Sequence, residues 1–484
     1  MVFYNLFILI YFWGLIGYCY GSSISDYLKG TDRTFNDIEG KVVDVHISMK
    51  DKDYESMIEK SQFSIIDYYV INHANIPQSV IFETKVNLTI TIDDDIKRFE
   101  KVNLKTGGNY ARTNAKIGLN LKLKDQSFFG RKNLRLRPDY YDLTRIRSKL
   151  VTDLMNRWEI PTIQETYAQL FINGHRFGLY FLMDAIKPSW VSQKYKIPED
   201  EVKTLYYCNK FGMSFDPESI KDCQNEKDKY INYTQPLYDV VNTIYNYTTI
   251  SQLKQKFDVD NLRKIMISEY LFGSFDNFLI GGHNLHYYQQ PNGKWQVFTH
   301  DFDSVFLSQL EYTLQYMPLV MPKQNSTSDY ATVKFDEWYS PNIKKPFVDI
   351  IYYSDKKNFI KILKEMLITG FNPDELFPRI DEMAKLVAPY VENDLTVNED
   401  GIYPGEINIK GQHNKVDMDI YWQSVNYGSF YRNIGLKQFI ELKFDSVCKH
   451  YGFNKKEILR KAALYRKKRE IKNRIDDLTR EINR

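Results

Sequence analysis

The sequence predicts an α+β chain, β-rich in its N-terminal part and mainly helical toward a charged C-terminal helix. Three observations predict it. Apolar residues alternate with polar ones from Lys41 to Ser48, from Lys85 to Ile92, and at Ile117, Leu119, Leu121 and Leu123, the period of half-buried strands. Four-residue apolar spacing takes over at Ile146, Leu150 and Leu154, the period of a helix face. Finally, Leu464, Ile471, Ile475, Leu478 and Ile482 form a heptad seam on a highly charged C-terminal segment.

Composition narrows the class. With 484 residues, 43% hydrophobic and 26% charged, the chain can bury one large core or two lobes, which excludes a disordered or fibrous protein. The formal charge of +3 is unevenly placed: Lys455 to Arg484 holds 12 Lys+Arg against 5 Asp+Glu, so the rest is net negative. No nucleic-acid partner is expected. Residues 1–21 carry no charged side chain and end in small residues before Ser22, as a secretory signal does. An uncleaved membrane anchor is the alternative, for which the apolar run is barely long enough. Four Asn-X-Ser/Thr sequons, at Asn87, Asn232, Asn246 and Asn325, suit a secretory-pathway chain. Cys19 falls in the signal, and in an oxidising compartment Cys208 and Cys223 can close a short loop, leaving Cys448 unpaired.

The elements follow in order. The strands that open the chain lead to a Gly107-Gly108-Asn109 turn, where backbone N–H groups can approach a phosphate and Lys116 can neutralise it; a plain glycine hairpin is the competing reading. A helix is predicted from about Leu143 to Arg157, with Asp142 as its N-cap. Arg145 and Arg147 lie at its start, the unfavourable end for cations unless a carboxylate or phosphate pairs with them. Tyr167 to Ile172, the Asn173-Gly174 turn and Phe177 to Met183 read as a hairpin followed by Asp184. Pro198 to Tyr247 turns polar and reads as an exposed, loop-rich insertion. Asp260 is placed as the cap of a helix that stops at Gly273, and helices are predicted at Asn358 to Ile368 and Pro373 to Tyr390.

The helix ending at Gly273 delivers the chain to Asp276. Leu285 to Gln290 and Lys294 to Thr299 then read as strands around Pro291-Asn292-Gly293. With Asn292 and Gly293 as the central turn residues, Asn284 falls opposite Asp301. An amide oxygen and a carboxylate side by side suit a hard cation, which takes oxygen ligands and completes its shell with water and phosphate. An ordinary surface hairpin is the bland alternative.

The order of these signals resembles the CotH kinase family, atypical secreted or spore-coat protein kinases, in the form found in fungal proteins. The resemblance rests on LKTGGNYARTNAK (104–116), FFGRKNLRLRPDYYDLTRIRSKL (128–150), FINGHRFGLYFLMDAI (171–186) and FDNFLIGGHNLHYYQQPNGKWQVFTHDFDSVF (275–306). It covers roughly Lys41 to Ser308 well and extends loosely to Phe453. It implies an atypical protein-kinase-like two-lobe fold: residues 41–190 as N-terminal lobe and first helix, 191–453 as C-terminal lobe, and 454–484 as a charged amphipathic helix or short coiled coil.

By the same resemblance, Asp276 is the catalytic-loop aspartate. Asn284 and Asp301 are the metal ligands, Asp303 completes the D-F/L-D signature, and Lys116 with Gly107, Gly108 and Asn109 binds nucleotide. Asp142, Arg147 and His283 are possible supporting residues, with Asp142 the candidate partner of Lys116. The implied cofactors are ATP and Mg2+ or Mn2+. The implied activity is transfer of the γ-phosphate to Ser/Thr of secreted, coat or wall proteins, in the secretory lumen, outside the cell or at its surface. A catalytically silent surface or adhesion protein is the alternative, and the C-terminal helix is a candidate oligomerisation element.

Overall fold

A computed structural model describes residues 27–139, 141–208, 216–308, 327–338, 348–399, 401–413, 416–430 and 433–482. The expected signal segment and the Asn325 sequon lie outside these residues. The alternating segments form strands β1 (Val42–Ser48), β2 (Glu83–Ile92), β3 (Asp95–Gly107), β4 (Gly118–Lys122) and β5 (Asn133–Arg137), joined by β6 (Glu165–Ile172) and β7 (His175–Asp184). They close into a barrel in the order β1-β2-β3-β4-β5-β7-β6, with β1 parallel to β6. The period-2 pattern turns one side of every strand inward, so Val45, Leu88, Leu104, Leu121, Leu134, Leu136 and Leu170 fill a core of their own. Each such side chain removed from water contributes about 1.5–3 kcal/mol.

Helix α1 (Asp51–Lys60) follows β1. Between β5 and β6 runs α2 (Arg147–Arg157), which starts four residues later than Leu143. The cause is local. Arg145 takes a left-handed φ of 55°, which breaks the helical run, and the Asp142 carboxylate accepts from the N–H groups of Thr144 (2.9 Å), Ile146 (2.8 Å) and Arg147 (2.8 Å). Asp142 thus caps from a distance. Arg147 is fully buried, at 3.4 Å from Asp142 and 2.7 Å from the Ile434 carbonyl, so its charge at the helix start is paired.

The second part holds α3 (Pro188–Tyr195), β8 (Leu205–Cys208), β9 (Gln224–Asn225), α4 (Gln235–Tyr245), α5 (Ile250–Lys256), α6 (Val259–Phe272), β10 (Leu285–Gln289) and β11 (Trp295–Thr299). It continues with α7 (Thr327–Thr332), α8 (Phe335–Trp338), α9 (Lys356–Thr369), α10 (Pro373–Asp394), α11 (Met418–Val425), α12 (Leu436–Tyr451) and α13 (Lys455–Ile482). The mixed α+β architecture, β-rich first and helical after, is the one the sequence predicts. The segment expected to be a loop-rich insertion is one only in part: residues 216–234 are mainly exposed or half-buried turns, but β8 pairs with β10, and α4 buries Leu237, Val240, Val241 and Ile244. Its polar composition belongs to the outward faces. Cys208 and Cys223 are joined by a disulfide, and Cys448 is free and buried. Asn87, Asn232 and Asn246 are exposed.

One cap and one strand register differ from expectation. Asp258, not Asp260, caps α6 by accepting from Asn261 N at 3.2 Å, while Asp260 pairs with Arg263. The β10–β11 register places Leu285 opposite Thr299, so Asn284 faces His300 rather than Asp301. The reason is the turn. Gln290 N bonds Lys294 O at 2.8 Å and Gly293 takes φ 80°, giving a three-residue loop where a two-residue turn was expected.

Candidate active site

Two hairpins and one loop build the site. β3 ends at Gly107, and Gly108 takes φ 88°, a conformation that needs glycine, so the chain turns sharply into 108–117 before β4. Arg112 ties this turn down, donating to Gly108 O (2.8 Å), Thr106 Oγ1 (2.9 Å) and Val80 O (3.1 Å). A strand-like strap from the C-terminal part lies against it. Ala115 N donates to Gln412 O at 2.9 Å, Gln412 N to Thr113 O at 2.7 Å, and Asn408 N to Ala115 O at 3.1 Å.

Lys116 leaves the base of this turn toward α10. Its ammonium sits 2.6 Å from the Asp394 carboxylate at the helix end, not against Asp142. Asp394 also accepts from Leu179 N at 3.0 Å. The side chain of Lys116 is 6% exposed; burial lowers its pKa, and Asp394 opposes that shift.

The loop after α6 is held by its buried surroundings. Gly273 closes the helix in the left-handed conformation. Glu269 accepts from Phe278 N (3.1 Å) and Leu279 N (2.7 Å), and Asn277 Nδ2 donates to His300 O at 3.0 Å. This fixes Asp276. Asn284 Nδ2 donates to Asp276 Oδ2 at 3.0 Å and to its carbonyl at 3.2 Å, and His283 Nδ1 lies 3.3 Å from Asp276 Oδ1. Asn284 and Asp301 have φ of 53° and 64°, which short polar side chains tolerate best. The amide of Asn284 uses its donor on Asp276, which leaves its oxygen as the atom suited to a cation.

Asp301 meets β5 from across a narrow cleft of about 40 Å³. Its lining includes Gly107, Ala111 and Gly118, together with Arg137, Asp139, Glu165, Asp301 and Asp303. Arg137 Nη2 is 3.0 Å from Asp301 Oδ2. Burial alone would raise the Asp301 carboxyl, but Arg137, Arg135 and His283 outweigh it and hold it below the ordinary range. Burial, with Asp301 and Asp276 nearby, pushes Asp303 up to about 7. Burial lifts Glu165 to about 8, although Ser148 Oγ donates to it at 2.9 Å. Asp139 is also raised, by burial and by Asp142 and Asp303, and its carboxylate oxygens are buried without a hydrogen-bond partner among the described residues.

The structure therefore brings Asp276, His283 and Asn284 into contact and sets Asp301 and Asp303 in the cleft with Gly107. Lys116, Gly108 and Asn109 do not line that cleft, nor do Asp276, His283 and Asn284, and Asp142 does not meet Lys116. Arg137, Asp139, Glu165 and Asp394 were not singled out from sequence. The NLRLR alternation was the available signal for Arg137, because it puts Arg135 and Arg137 on the face opposite Leu134 and Leu136. Among the described residues no group of three or more His, Cys, Asp or Glu forms a ready metal cage. Asp301 offers the cleft a carboxylate oxygen, and magnesium keeps water and phosphate as most of its ligands.

A family model described as CotH kinase protein matches residues 104–408. Invasin CotH3 of Rhizopus delemar is 26% identical over 368 residues, covering 72% of this chain and 59% of that protein. Invasin CotH2 of the same organism is 22% identical over 366 residues, with the same 72% and 59%. The chain thus spans about three fifths of the length of these relatives. The crystal structure of a Helicobacter pylori proinflammatory kinase, CtkA, aligns with a TM-score of 0.25 and 10% identity over 64% of this chain and 87% of that one, too slight a likeness to carry an argument.

Proposed function

The chain belongs to the CotH kinase protein family, and from that premise we propose that it is a protein kinase of the secretory pathway or cell exterior, transferring the γ-phosphate of ATP to Ser/Thr of secreted, coat or wall proteins. The observation that carries the reading is the contact of Asp276 with Asn284 at 3.0 Å at the head of the hairpin that also supplies Asp301. Asp276 accepts the proton of the attacking hydroxyl, and His283 and Asn284 orient its carboxylate. Asn284 and Asp301 would hold magnesium or manganese, with Asp303 beside them, and the metal would neutralise charge developing on the transferred phosphoryl group. Gly107, Gly108 and Asn109 lay backbone over the phosphates, with Lys116 and its Asp394 partner fixing the base of that turn.

Secretion is supported by the exposed sequon asparagines and the Cys208–Cys223 disulfide. A surface role is supported by the relatives named invasins. Among the described residues no helix is long and apolar enough to cross a membrane. A metal-dependent thermal shift with ATP and label transfer to a generic protein test the proposal; neither appearing would remove it. A second reading, a silent adhesion protein, is favoured by the arginine that already neutralises Asp301. Adhesion that survives Asp301→Asn without loss supports that alternative.

A further inference from the structure

We propose that Arg137, rather than Lys116, is the cation that grips the nucleotide's phosphates, an inference that rests on the kinase reading above. Four facts place it there. The alternation of β5 sends Leu134 and Leu136 into the barrel core and Arg135 and Arg137 to the opposite face. Among the described residues lining the cleft, Arg137 is the sole Lys or Arg, against the carboxylates of Asp139, Glu165, Asp301 and Asp303. It reaches Asp301, a metal ligand in this reading, at 3.0 Å while its side chain stays 20% exposed, so it borders the space where phosphate meets metal. The lysine expected in the role is committed elsewhere, since Lys116 is 2.6 Å from Asp394 with its carboxylate partner anchored on the Leu179 amide at 3.0 Å.

The chemistry fits the position. A guanidinium presents a planar fork of donors that matches two phosphate oxygens at once, which an ammonium cannot do. Nη2 is engaged by Asp301 at 3.0 Å, where it offsets the carboxylate. Asp301 would hold a divalent ion that supplies that neutralisation instead, and the guanidinium would then present its donors to the accompanying phosphates. Arg137 thus has two partners of opposite charge to choose between, the Asp301 carboxylate and the phosphates. This makes nucleotide and metal binding cooperative, because each frees the other's ligand.

Calorimetric titration of the full chain with Mg·ATP, with tripolyphosphate plus magnesium, and with adenosine separates phosphate grip from base recognition. Arg137→Ala is expected to weaken Mg·ATP and tripolyphosphate by about tenfold or more while changing adenosine by less than about threefold. Lys116→Met is expected to weaken Mg·ATP several-fold less than Arg137→Ala does. Arg137→Lys, which keeps the charge without the fork, falls between, and it decides the matter if Arg137→Ala does not fold. Tripolyphosphate binding in Arg137→Ala that equals or exceeds wild type overturns the assignment, as does a Lys116→Met loss of equal size. Those results leave the kinase reading standing. Wild-type chain that binds no Mg·ATP overturns both.

Discussion

Lys443 lies on α12 with its ammonium 4.3 Å from the ring of Tyr270, 5.3 Å from Trp338 and 5.8 Å from Phe439, and no hydrogen-bond partner among the described residues. Ring faces offset only part of the cost of taking a charge out of water, about 2 kcal/mol when desolvated. Burial accordingly pulls its pKa down to about 7, against about 10.4 in the unfolded chain. Between those values the unfolded chain holds a proton that the folded one lacks, so this residue's penalty shrinks as pH rises and is full below the folded value. Lys443→Met, similar in length and uncharged, is predicted to stabilise the chain by about 3 kcal/mol at pH 6, with the gain fading toward pH 10. Denaturant unfolding across that range checks it; destabilisation at pH 6 contradicts it. No sequence pattern marks Lys443, because two of its ring neighbours, Tyr270 and Trp338, come from other places in the chain, and Phe439 from one turn earlier in its own helix.

At the scale of elements, what could be read from sequence depended on whether the signal was local. The alternation of β2 and β4, the Asn173-Gly174 turn with φ of 49° and 83°, and the Gly273 helix stop are local and stood out. The β10–β11 register did not, because Pro291-Asn292-Gly293 fits two loop lengths that differ by one residue. That one residue moved Asn284 from Asp301 to His300. The α10 clamp is invisible in sequence: Lys116 and Asp394 are 278 residues apart. Asp394→Ala leaves a buried ammonium unpaired and is predicted to destabilise by about 3 kcal/mol, read as a lower denaturant midpoint. An unchanged midpoint would show that the clamp is dispensable.

The heptad seam of α13 was legible. The structure packs Ile458 and Ala462 inward and leaves Leu464, Ile471, Ile475, Leu478 and Ile482 exposed. We predict self-association through this seam, seen as concentration-dependent sedimentation that Ile471→Lys with Leu478→Lys abolishes. A monomer at every concentration contradicts it.

Across the molecule, buried charges stitch the chain's beginning to its helical part. Glu39 lies 2.8 Å from Arg33, 3.0 Å from Lys149 and 2.5 Å from Arg379, and Arg379 also reaches Asp153 at 2.6 Å. Tyr27 stacks beneath Arg157 and Arg379, and Arg466 of α13 joins Glu375 of α10. Apart from Glu39–Arg33, these ion pairs join residues 91 to 340 apart, so charge composition alone gave no hint of them. The barrel, α2 and α10 are thereby fixed to one another, and the cleft between Gly107 and Asp301 inherits its shape from that frame. Sequence order supplied the site's parts, and the frame decided which of them meet.

The most direct test is transfer of label from γ-labelled ATP by wild-type chain and Asp276→Asn side by side, with magnesium or manganese. Transfer by the wild type that falls about a hundredfold or more in Asp276→Asn, with nucleotide binding retained, is the predicted result. Equal transfer by both, or none by the wild type, would contradict the assignment of this cleft as a phosphoryl-transfer site.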